Sequence, residues 1–98
     1  MKQVLHPEAD AEFLEVVRHY AAISPELGGR FYDEIEGLIR AACAHPLRHQ
    51  LYDPPVRRVL ARSFPYGVLF VAQPDRVWIV AIMHLKRRPG YWKHRLAE

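Results

Sequence analysis

Apolar residues recur at three- and four-residue steps early in the chain. Ala9, Phe13, Leu14, Val17, Tyr20 and Ala21 form one such series and leave Glu8, Glu12, Glu15 and Arg18 mostly outside. That spacing turns one face of a helix toward a core and the other toward water. His6-Pro7 marks its start, because the fixed φ of proline suits the first helical turn. Val4 and Leu5, immediately before, fit a short strand. The helix is predicted to end before Ser24-Pro25-Glu26, where serine caps a second helix, proline fills its first turn and the glutamate meets the positive end of the dipole. Leu27, Phe31, Ile35, Leu38, Ile39 and Ala42 carry that second helix to His45-Pro46, where proline stops it. An antiparallel hairpin is expected. Gly28, Gly29 and Gly37 each lower helix propensity by about 1 kcal/mol relative to alanine, so their use is close approach of another backbone.

The pattern then changes. Residues 47–55 are polar and proline-bounded, a loop, and runs at 56–62, 66–72 and 77–85 read as strands. Gln73-Pro74-Asp75-Arg76 is turn chemistry joining the last two as an antiparallel hairpin, and Phe64-Pro65 bends the chain between the first two. Strand parity places Arg58 and Arg62 on one face. In the last strand it groups Trp78, Val80, Ile82 and His84 on one side and Val77, Ile79, Ala81 and Met83 on the other. Both faces are apolar, so this strand is expected to be central. The predicted class is α+β: an N-terminal short strand and an antiparallel helical hairpin packed on a small antiparallel sheet, in the order β-α-α-β-β-β.

Ninety-eight residues amount to a single domain, 1–98. With 50% hydrophobic and 26% charged residues the chain is not a disordered tail, and eight prolines exclude a coiled coil. The longest apolar stretch, 77–83, is far short of the roughly 20 residues that cross a bilayer. The N-terminus has no apolar core of an export signal, which sets the expectation of a cytoplasmic protein with no membrane partner. Cys43 stands alone among apolar helix positions and reads as core; no internal disulfide or cysteine-based zinc cluster is possible. His6, His19, His45, His49 and His94 are too dispersed for ligand spacing, so no metal and no cofactor is expected.

Charge divides the chain. Residues 1–53 carry five basic against nine acidic residues, a net of −4; residues 54–98 carry nine basic against Asp75 and Glu98, a net of +7. Anything the second half binds is expected to be anionic: a nucleic acid, whose phosphates take guanidinium groups while bases stack on Tyr91 and Trp92, or an acidic protein segment.

Phe64-Pro65-Tyr66 enters a strand, and the chain closes on His84-Leu85-Lys86-Arg87-Arg88-Pro89-Gly90-Tyr91-Trp92-Lys93-His94-Arg95. With the order strand, two helices, three antiparallel strands, this resembles the RelE/ParE toxin superfamily of type II toxin-antitoxin systems over nearly the whole chain. His84, Arg87 or Arg88, Pro89, Tyr91-Trp92 and Arg95 look like the closing signature of its ParE-like branch, and Ser24-Pro25 fits as well. The resemblance implies a small bacterial toxin and a cognate antitoxin that wraps it, in a toxin-antitoxin hetero-oligomer, with a homodimer as the other assembly. RelE-like members cleave messenger RNA on the ribosome; ParE-like members are associated with inhibition of DNA gyrase.

Metal-independent RNA cleavage needs one group to take the 2′-hydroxyl proton, another to protonate the leaving oxygen, and cations for the phosphorane. On the RelE-like reading the catalytic candidates are Arg62, His84, Arg88 and Tyr91, with Arg58 and Arg87 also holding phosphate. The RelE-like pattern places lysines or arginines across the sheet, whereas this chain has no lysine between Lys2 and Lys86, and arginine is no acid or base near neutral pH. That departure favours the ParE-like branch. A gyrase inhibitor needs only an exposed surface, for which the candidates are Arg58, Arg62, Lys86, Arg87, Arg88, Tyr91, Trp92 and Arg95. Phe13, Tyr20, Phe31 and Tyr32 are either core or contacts for the antitoxin. A toxin-fold protein without toxicity is the third reading.

Overall fold

Both helices begin where capping chemistry places them. In the computed structural model, which describes residues 1–97, α1 (Pro7–Ile23) starts with the His6 ring accepting from the Glu8 N–H at 3.0 Å. α2 (Pro25–Ala44) starts with Ser24 Oγ accepting from the Leu27 N–H at 3.1 Å. Ser24 alone separates the helices, which fold back on one another as expected. A Cβ on Gly28 would stand 2.7 Å from the Ala21 Cβ, so glycine permits the helices to touch there. Gly29 and Gly37 have no backbone nearby, so the close approach involves one glycine of the three.

The strands are β1 (Lys2–Leu5), β2 (Gln50–Asp53), β3 (Val56–Leu60), β4 (Tyr66–Ala72) and β5 (Arg76–His84), in the spatial order β1-β5-β4-β3-β2. The sheet is mixed where an antiparallel one was expected: β1 runs parallel to β5, from Lys2 opposite Arg76 to Leu5 opposite Ile79. The helical hairpin makes this possible, since a parallel pair needs a long crossover. A second departure is β2, which lies within the expected 47–55 loop; four residues at a sheet edge are too few to show an alternation.

A bulge corrects the assignment of faces on β5. Leu69 pairs with Ala81 but Phe70 pairs with Ile79, so Val80 is an extra residue. Val77, Ile79 and Ile82 therefore face the helices, while Trp78, Val80, Ala81 and Met83 face away. His84, opposite Tyr66, lands on the helix side.

Between helices and sheet lies a core of Phe13, Phe31, Ile35, Ile39, Phe64, Val68, Phe70, Val77, Ile79 and Ile82. Half-buried Cys43 packs against it, and burial raises its thiol pKa. Phe13 and Phe31 are thus core, Tyr20 packs on Phe31 and Phe64, and Tyr32 stacks on Phe13 at 5.3 Å while remaining exposed. The far face is covered by the segment after β5, which turns at Gly90 with a positive φ of 75° and ends in a 3-10 helix, Lys93–Ala97. It buries Trp92 against Val56, Leu69, Val80 and Met83. Among the described residues no helix is long and apolar enough to cross a membrane. Glu98, counted in the charge balance, lies outside the described residues.

Candidate binding surface at one end of the sheet

Because β3 and β5 run one way and β4 the other, the end of β3, the start of β4 and the end of β5 meet. The Ala61 N–H donates to the Tyr66 carbonyl and the Leu85 N–H to the Pro65 carbonyl, both at 2.9 Å. This end gathers Arg62, His84, Lys86, Arg87 and Arg88, and all but half-buried His84 are exposed. A carboxylate on α2 fixes the turn: Glu34 Oε2 accepts from the Arg62 N–H at 2.6 Å and the Ser63 N–H at 3.0 Å. The backbone of Arg62 is held while its side chain remains outside.

On the helix side of this end is a cleft of about 150 Å³ lined by Glu12, Glu15, Val16, Tyr66, Ile82, His84 and Arg87. His84 meets Tyr66 edge to face at 4.9 Å, and its Nδ1 accepts from the Lys86 N–H at 3.0 Å. In the neutral ring the proton then sits on Nε2, which can only donate. Burial raises the phenol pKa of Tyr66, with Tyr20 and the Glu15 charge acting the same way.

Glu12 closes the free edge of β5. β1 pairs with β5 only as far as Ile79, so beyond that point the edge lacks a neighbouring strand. Glu12 Oε1 accepts from the Ile82 N–H at 3.1 Å, and Arg95 Nη1 donates to the Val80 carbonyl at 3.0 Å. The two side chains are joined by bonds of 2.8 and 3.0 Å, and Tyr91 donates its hydroxyl to Glu12 at 2.7 Å. An ion pair thus occupies the place of a missing strand, satisfying backbone groups that would otherwise be orphaned. Burial raises the Tyr91 phenol pKa, aided by the bond to Glu12 and its charge, so the phenol is held protonated. Burial is the largest single influence and works against the charge on Arg95, but the bond to Glu12, the Glu12 charge, Tyr91 and the Glu8 charge together outweigh it and the pKa is raised.

The expected binding residues therefore separate into groups. Arg95, with 5% of its side chain exposed, and Trp92, at 1%, are structural and out of reach of a target. Tyr91 is half-buried, with the Arg87 guanidinium over its ring at 3.9 Å. Arg58 lies on the far face of β3 above Tyr52, apart from the cations at the sheet end.

No family model and no curated protein matches this sequence. Among solved structures, a chain of the chromosomal ParDE TA system from P. aeruginosa aligns with a TM-score of 0.75 and 18% identity, covering 86% of this chain and 95% of that one. The two chains share a fold. The likeness to the ParDE chain is therefore architectural and spans most of both molecules.

Several residues that shape the site were not among the candidates. Glu12 was expected on the outer face of α1, Glu15 with it; Glu34 and Tyr66 carried no expected role. Their neighbours in sequence give no sign of these contacts, because each partner comes from a distant part of the chain.

Proposed function

We propose that this chain is the toxin of a ParE-like toxin-antitoxin pair, that it inhibits growth by binding DNA gyrase, and that a cognate antitoxin neutralises it. The fold shared with a chain of the ParDE system carries this reading. Arg62, Lys86, Arg87 and Arg88, with half-buried His84 among them, form the proposed target surface, a convergence of four exposed cations that can meet an acidic partner. Such a toxin works in the cytoplasm, where its target lies.

A RelE-like ribosome-dependent nuclease is the second reading, supported by Arg62, His84 and Arg88 sharing one end of the sheet. It needs a proton acceptor and a proton donor. Tyr91 is engaged by Glu12 and held protonated, and arginines do not titrate, which leaves His84 alone among the four candidates. The binding role is accordingly favoured.

Induced expression followed by gyrase supercoiling and transcript assays discriminates between them. Growth arrest with impaired supercoiling and intact transcripts is expected, relieved by the charge reversals Arg87→Glu and Arg88→Glu at equal protein level. Ribosome-dependent transcript cuts, abolished in Arg62→Ala or His84→Ala, would overturn the gyrase assignment. Unimpaired growth would leave a non-toxic protein with this fold.

A further inference from the structure

Arg58 is a cation that the fold does not satisfy. It sits on β3 opposite Leu69, facing away from the helices, with its guanidinium carbon 4.4 Å from the centre of the Tyr52 ring. The side chain is half-buried beside an apolar floor that includes Val56, Leu69 and Trp92. Its Nε–H is buried, and among the described residues nothing accepts from it. The indole N–H of Trp92, packed near the same Tyr52 ring at 6.5 Å between centroids, is buried without an acceptor too. Neighbouring basic side chains have partners for their donors: Lys93 in the Asp53 carboxylate at 3.1 Å, and Arg57 in the His49 carbonyl at 2.7 Å. Buried donors are ordinarily paired, so the orphaned Nε–H marks a half-buried guanidinium whose bonding capacity the fold leaves unused and an acceptor from outside can take up; the Trp92 N–H, out of reach itself, borders the same ring and reports on it.

The same face offers an apolar contact. Leu60, two residues along β3, is 45% exposed and lies over Gly67, whose Cβ position is 3.3 Å from Leu60 Cδ2. A cation and an exposed leucine therefore stand side by side on one strand face.

We propose that Arg58 is a docking point for a carboxylate side chain of a protein partner, with an adjacent apolar side chain of that partner seated on Leu60. On this face of β3 one charge is unmatched among the described residues, because Asp53 neutralises Lys93 and Arg57, opposite Phe70, faces the helices. A single carboxylate balances it, and its two oxygens suit the planar guanidinium fork. A phosphate dianion would leave excess negative charge against the apolar floor. Only the partner's name, the antitoxin, rests on the toxin-antitoxin reading above.

The test is NMR of the 15N-labelled full chain, following the Nε–H signal of Arg58 and the indole N–H of Trp92. The probes are a capped Asp-Ala-Leu tripeptide, inorganic phosphate and sodium chloride. The tripeptide is expected to shift both signals saturably. Arg58→Gln should abolish the response while the remaining spectrum stays native-like, and Leu60→Ser should weaken it several-fold. A tripeptide response no larger than that to chloride overturns the proposal, as does saturation by phosphate at lower concentration than by the tripeptide. Growth arrest by a chain that gives no saturable response removes the docking point and keeps the toxin assignment. A saturable response in a chain that arrests nothing keeps the docking point and removes the toxin.

Discussion

Replacing Glu12 with leucine removes the acceptor of four hydrogen bonds in one step: those from Ile82, Tyr91 and both terminal nitrogens of Arg95. Among the described residues the Arg95 charge, 5% exposed, then keeps one carboxylate, that of Glu8, whose Oε1 is 3.8 Å from its Nε, beside its bond to the Val80 carbonyl. Removing one partner of a buried ion pair costs about 3–5 kcal/mol, out of about 5–15 kcal/mol for a whole domain. Glu12→Leu should therefore lose about 3–5 kcal/mol in urea unfolding followed by tryptophan fluorescence. The double variant Glu12→Leu, Arg95→Met separates two contributions. It removes both charges, which by itself is close to neutral, but still orphans the Ile82 N–H and the Val80 carbonyl at about 1–3 kcal/mol. The double variant should consequently be more stable than the single one and less stable than the parent. A Glu12→Leu loss below about 1 kcal/mol, or a double variant no better than the single, would refute the account of the β5 edge.

Two further measurements address α1 and its contacts. Gly28→Ala gains helix propensity but drives a methyl to 2.7 Å from Ala21 Cβ, so the net should be a loss of about 1–3 kcal/mol. Gly29→Ala, with nothing within 4 Å, should gain about 0.5–1 kcal/mol, and equal effects at the two sites would contradict the packing argument. The Glu8 carboxyl is held below its ordinary 4.5, first by the hydrogen bond from His94, against some desolvation, with the Arg95 charge assisting. A pKa depressed by folding means that this link stabilises the fold above 4.5 and is lost as pH falls through the lowered value. Carboxyl NMR titration should find the Glu8 midpoint below 4.5 and see it rise in His94→Ala; an unmoved midpoint would show that His94 is not the cause.

Much of the architecture was legible because its causes are local. Helix starts follow from Pro7 and Ser24-Pro25, helix faces from three- and four-residue spacing, and the β4–β5 hairpin from Gln73-Pro74-Asp75-Arg76. Each depends on residues a few positions apart, so the linear pattern contains the whole interaction. β2 was not legible, since its partner β3 sets it and four residues carry too little pattern of their own. Nor was the Val80 bulge, which reverses the faces of half a strand through its pairing with β4. The candidate surface divides in the same way. Its basic and aromatic composition, from Arg58 to Arg95, is a property of the sequence alone. Which of those side chains meet a partner was decided only in three dimensions, where Glu12 and Arg95, 83 residues apart, close a strand edge and take a cation out of the surface. Local sequence determines conformation because neighbouring residues interact in any compact state, whereas burial and pairing belong to groups that only the completed fold brings together.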